Sequence, residues 1–97
     1  MQGLLLAVDW HTKAVSEIAQ GLGDGDGIFA LDDGSFVVGE WPGRLFHVQA
    51  DGRVATILDT REEQRYWNDF LRLGDTIVAP HWQPGALGAY RVVRSSR

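Results

Sequence analysis

The sequence predicts an all-β chain of antiparallel strands, grouped into four-stranded units that repeat at a spacing of roughly forty residues. Three observations predict it. Short runs rich in Val, Ile, Leu, Phe and Thr are each stopped by Gly, Asp or Pro. Asp-Gly pairs stand where hairpins need a positive φ, at Asp33-Gly34 and Asp51-Gly52. The block Gly27 to Leu58 is echoed by shortened copies before and after it. Repeated units of four short strands are the signature of propeller blades, whose sheets stack radially about an axis.

Taken in order, the runs 4–9 and 14–19 form the end of a first unit, and Leu5-Leu6-Ala7-Val8-Asp9 echoes the second half of the middle copy. The runs 27–31, 35–41, 44–48 and 53–58 make one complete unit. Phe36-Val37-Val38 is apolar at consecutive positions, as expected of an antiparallel strand covered on both faces by neighbouring sheets. The turns 32–35 and 50–53 are structural hairpins. The segment 59–66 interrupts the spacing, and Thr60-Arg61-Glu62-Glu63 has the form of a capping box that predicts one helical turn on a surface excursion. The runs 69–73, 76–82 and 87–93 form the start of a last unit. The expected division is a half unit over 1–22, a complete unit over 23–59, a connection over 60–67 and a partial unit over 68–97.

The chain has 97 residues, of which 44% are hydrophobic and 23% charged, which suits one modest globular domain and excludes a disordered class. A net charge of −4 argues against nucleic acid or an anionic membrane as partner and mildly favours cations. There is no cysteine, so disulfides and thiolate metal sites are excluded. The apolar start is too short for a membrane span and lacks the flanks of an export signal. It reads as a strand, and localisation stays open.

Alternate connections of such a unit lie on opposite faces of the ring. The links 21–26 and 40–43 therefore share a face, away from the two Asp-Gly hairpins. Asp24, Asp26, Glu40 and Trp41 fall on it, with Asn68, Asp69, His81 and Trp82 in matching places of the last unit. Asp26 and Asp69 open innermost strands, and with Asn68 they suit a hard divalent cation such as Ca²⁺, which takes several oxygen ligands. Strand-end capping and turn formation are the structural roles open to the same residues. Asp24-Gly25-Asp26-Gly27 lacks the spacing and terminal Glu of an EF-hand. Trp41 and Trp82 end equivalent strands, where an indole packs between sheets or stacks on a sugar ring. Trp10 and Trp67 read as packing residues. His11, His47 and His81 are too scattered for a zinc motif, and no Ser-His-Asp arrangement or phosphate loop is present.

The stretch from Asp26-Gly27-Ile28 through Leu31-Asp32-Asp33-Gly34-Ser35-Phe36-Val37-Val38, Trp41-Pro42-Gly43-Arg44-Leu45-Phe46-His47-Val48 and Asp51-Gly52 resembles a blade of the SMP-30/gluconolactonase/LRE-like six-bladed propellers. Leu58-Asp59-Thr60-Arg61, Asn68-Asp69-Phe70, Ile77-Val78-Ala79-Pro80 and Ala89-Tyr90-Arg91-Val92 are similar to their closing part. The resemblance covers nearly the whole chain but only part of a ring. It implies a divalent cation (Ca, Zn or Mn) in the channel, held in the enzymatic members by a Glu of an early blade, an Asn of a middle blade and an Asp before Gly at the start of an innermost strand. Asp26 matches that Asp, which acts near the hydrolysed lactone; the other two ligands have no match here.

Three functions follow as expectations. The first is a non-catalytic module that self-assembles into a closed ring, with an axial metal or small-molecule site. The missing blades motivate it, because truncated sheets leave edges and apolar faces that chains normally cover. At about two blades per chain a homotrimer is favoured, although three copies carry three strands more than six four-stranded blades use. The second is a metal-dependent lactone or ester hydrolase with Asp26 as the catalytic carboxylate. The third is a sugar-binding module using Trp41 and Trp82.

Overall fold

β-Branched and aromatic residues alternate with turn-forming Gly and Asp along the chain, and the strands form where the apolar runs predict them. The computed structural model describes residues 3–64, 66–67, 69–81 and 86–93. These carry nine strands, all antiparallel, and no helix: β1 (Leu4–Val8), β2 (Val15–Gln20), β3 (Gly25–Ala30), β4 (Phe36–Glu40), β5 (Arg44–Val48), β6 (Val54–Asp59), β7 (Leu71–Leu73), β8 (Thr76–His81) and β9 (Ala86–Arg91). Within each sheet the strands pair in sequence order. The result is a first sheet β1-β2, a central sheet β3-β4-β5-β6 and a last sheet β7-β8-β9.

The predicted helical turn at 60–63 does not form. Arg61 to Gln64 make turns instead, and the Thr60 hydroxyl that would cap a helix donates to the Gly43 carbonyl (3.1 Å). Trp67 Nε1–H donates to the same hydroxyl at 3.0 Å. Long-range partners outbid the local capping pattern.

The two middle strands of the central sheet, β4 and β5, are covered on both faces. Its register sets Phe36, Val38 and Glu40 opposite Val48, Phe46 and Arg44, with Val37 and Gly39 opposite His47 and Leu45 on the reverse. Side chains of a strand alternate between faces, so the two sets point into different cores. Val38, Phe46 and Val48 pack with Ala19 and Leu22 against the first sheet. Val37, Leu45 and Leu31 pack with Trp67, Ile77 and Ala79 against the last. The double apolar pattern of β4 is thus two interleaved single patterns, each read by a different neighbour.

The two neighbours are offset in opposite directions. The first sheet covers β4 and β5 but leaves Ile28 of β3, on the same face as Val38, 47% exposed. The last sheet sits over β3 and β4. Phe70 meets Phe29 edge to face at 5.3 Å, and Arg72 Nη1 reaches the Ala30 carbonyl at 3.3 Å. Among the described residues β9 is the last strand of this sheet, and a groove of about 870 Å³ lies between β9 and the β5–β6 side of the central sheet, with Leu45, His47, Ile57, Leu58, Tyr90 and Val92 in its lining.

Candidate functional site

The predicted face is built around the β4–β5 turn, Trp41-Pro42-Gly43, where Gly43 takes a φ of 139° that a side chain would strain. Trp41 N–H donates to the Asp24 carbonyl at 2.9 Å, tying the link before β3 to this turn. Trp41 C=O accepts from Trp67 N–H at 3.0 Å, and an isolated bridge joins Trp67 to His81 at the end of β8. The structure therefore brings Asp24, Glu40, Trp41 and His81 to one end of the central and last sheets.

Their chemistry differs from residue to residue. Glu40 is buried and grips Arg44 through both carboxylate oxygens, Nε to Oε1 and Nη2 to Oε2 (2.7 Å for the latter). The same carboxylate lies where a Cβ on Gly23 would sit, so Gly23, at φ 61°, makes room for the pair. The Glu40 carboxylate raises the Arg44 guanidinium above its ordinary pKa, chiefly by hydrogen bonding. Both oxygens are committed to that fork.

His81 is 2% exposed, at the centre of an aromatic cluster. Its Nδ1 lies 3.2 Å from the Tyr66 carbonyl and its Nε2 2.9 Å from the Tyr90 hydroxyl. A carbonyl only accepts, so Nδ1 carries a proton, and in the neutral ring Nε2 accepts from Tyr90. Trp67 stands edge-on to His81 at 4.7 Å and 5.1 Å from the Tyr90 ring, fully buried. Both imidazole nitrogens are used within the fold. Gly88 is required here, because a Cβ would come within 2.8 Å of His81 Nε2.

The residues open to solvent are fewer. Trp41 is 38% exposed and lies against the Tyr66 ring at 4.5 Å, leaving part of the indole accessible. Asp24 and Asp26 are exposed, Asp26 within the bulge between Gly25 and Gly27. Asp69 is exposed and accepts from Phe70 N–H at 3.0 Å, a strand-end cap. Asn68 and Trp82 lie outside the described residues. Among those described, no three His, Asp or Glu side chains come together as a ligand set for a metal ion. Of the other histidines, His47 pairs with Ser35 Oγ at 2.9 Å, and His11 is exposed in the β1–β2 turn.

Tyr66, Tyr90, Thr60 and Arg44 belong to this end of the molecule and were not among the site residues predicted from sequence, where Thr60 reads as a helix cap. Arg44 had a visible signal. It stands four residues after Glu40 across a Trp-Pro-Gly turn, which in a tight hairpin makes the two cross-strand neighbours. Tyr66 and Tyr90 had none: Tyr66 comes to His81 beside the bridge that Trp67 makes with it, and Tyr90 reaches along the β8–β9 pair from its place opposite Ile77. No family model matches this chain, and no curated protein or solved structure does either.

Proposed function

We propose that the chain is a non-catalytic β-sheet module that assembles with further copies of itself into a closed ring of stacked sheets, a propeller of the kind its repeats resemble. One observation carries this reading: both outer faces of the three-sheet stack are apolar and exposed. At one end stand Leu4, Leu6, Val8 and Val15, and at the other Leu71, Leu73 and Leu87. Inside the molecule, faces of this composition are covered by a neighbouring sheet. Contiguous apolar surface of this kind marks an association site.

The two ends are unlike, so copies join head to tail, and such contacts close into a ring when the rotation per copy divides the circle. Three copies is the favoured number. Asp26 and Asp69 would then recur once per copy about the axis, where repeated carboxylates favour a Ca²⁺, Zn²⁺ or Mn²⁺ ion or a cationic small molecule.

Sedimentation at micromolar concentration tests the assembly. The expected result is a species near three times the 10.7 kDa chain mass, which Leu6→Lys, at a solvent-facing position, converts to a folded monomer. A monomeric unsubstituted chain overturns the reading. Calorimetry with each cation tests the axial site: saturable heat that Asp26→Asn removes is expected, and no heat rules the ion out.

A further inference from the structure

Independently of assembly, we infer that the groove between the central and last sheets binds a small apolar molecule carrying a hydroxyl, such as an alkylphenol, and that His47 Nδ1 accepts its hydrogen. The imidazole is fixed from the turn between β3 and β4. A carboxylate only accepts, so the Ser35 hydroxyl donates to Asp33, which also accepts from Ser35 N–H at 3.0 Å. The 2.9 Å contact between His47 Nε2 and Ser35 Oγ therefore takes its hydrogen from the ring. Nε2 carries the proton, and in the neutral ring Nδ1 keeps a lone pair. Ser35 is 3% exposed and directs its proton at Asp33 rather than at His47, so the three residues do not make an activated nucleophile.

Nδ1 is open. It has no hydrogen-bond partner among the described residues, and every buried side-chain nitrogen or oxygen among them has one, so Nδ1 is reached by solvent. His47 shares its face of β5 with Leu45, and both line the groove. The wall around it is apolar: Val37, Leu45 and Ile77 are buried and Ile57 is 48% exposed, so the groove runs from core to solvent. Other polar side chains of the lining are engaged elsewhere. The Tyr90 hydroxyl lies on His81, Gln49 Oε1 accepts from Arg53, and Arg91, on the side of β9 opposite Tyr90, pairs with Asp75. An apolar cleft of about 300–1,000 Å³ with a few placed polar groups is the usual build of a small-molecule site, and the groove at about 870 Å³ falls in that range. A lone-pair nitrogen in such a wall selects a hydroxyl over an ether or a carboxylate, which have no hydrogen to donate.

NMR titration of the unsubstituted chain with 4-propylphenol, its methyl ether 4-propylanisole and 4-propylbenzoate tests the site. The phenol should shift the amide signals of Leu45, Leu58 and Val92 saturably and move the His47 Nδ1 resonance. The ether keeps the apolar body without the donor, so it should bind about three- to tenfold more weakly, the worth of one neutral hydrogen bond, and leave Nδ1 unmoved. H47L should keep the affinity for the ether and abolish the preference for the phenol. No shift with either compound overturns the site. Equal affinities, or a preference that survives H47L, overturn the role of His47, and tighter binding of the benzoate overturns the neutral acceptor. Should H47L fail to fold, the Nδ1 resonance of the unsubstituted chain still decides. None of these outcomes depends on the mass in solution, so the site and the assembly fail separately.

Discussion

Thr60 performs three tasks with one residue. Its N–H and its hydroxyl both donate to the Gly43 carbonyl, and the hydroxyl accepts the indole hydrogen of Trp67. Thr60→Val keeps the shape and the backbone bond but leaves a buried indole N–H unpaired, a loss of about 1–3 kcal/mol. Urea denaturation should show that loss as a lower midpoint at unchanged slope. The neighbouring carboxylate of Asp59 behaves differently because it is exposed. Arg61 Nη2 donates to it at 2.6 Å, and the Arg61 side-chain and backbone bonds together hold its pKa down at about 2, against 3.8 ordinarily. A carboxylate depressed by folding stabilises the native state above its unfolded value, and that contribution disappears as pH falls from 3.8 through about 2. A carboxyl NMR titration should place the Asp59 midpoint near 2, and Arg61→Gln should return it toward 3.8.

At the scale of the element, the position of least tolerance is Gly39 in β4. A Cβ there would lie 2.8 Å from Phe70 Cε1, in the layer where Phe70 packs edge-on to both Phe29 and Trp67. Gly39→Ala therefore overpacks the joint between the central and last sheets and should cost about 1–3 kcal/mol, measurable by thermal or urea unfolding. The strands themselves were legible because Asp, Gly and Pro bound each apolar run. The run 35–41 became Phe36–Glu40, and 44–48 became Arg44–Val48. The disagreements have local causes. β3 begins earlier than 27, at Gly25, because a bulge carries the strand through the glycine pair. The run 69–73 shortens to Leu71–Leu73 because Asp69 caps the Phe70 amide and the Phe70 ring turns inward. The candidate site was legible only in outline. Turn spacing placed Glu40 and Trp41 beside Asp24 and set Arg44 opposite Glu40, but the commitment of His81 to the Tyr66 carbonyl and the Tyr90 hydroxyl depends on how side chains pack around Trp67. Pattern along the chain does not encode those contacts.

At the scale of the whole molecule, the proposed association through exposed apolar faces has a salt signature. Raising NaCl from about 0.1 to 1 M screens exposed charges, yet on the proposed reading it should leave the mass in solution unchanged, and ammonium sulfate should strengthen the assembly. Dissociation by NaCl would show that ion pairs carry the joint. The central sheet has a consequence of another kind, for how such a chain can vary in length. Neighbouring residues of β4 belong alternately to two cores, and neither side faces water. Inserting or deleting one residue within β4 would exchange the contents of both cores at once. Length changes are therefore confined to the turns, and the five residues of β4 form a reading frame that divergence can substitute but not shift.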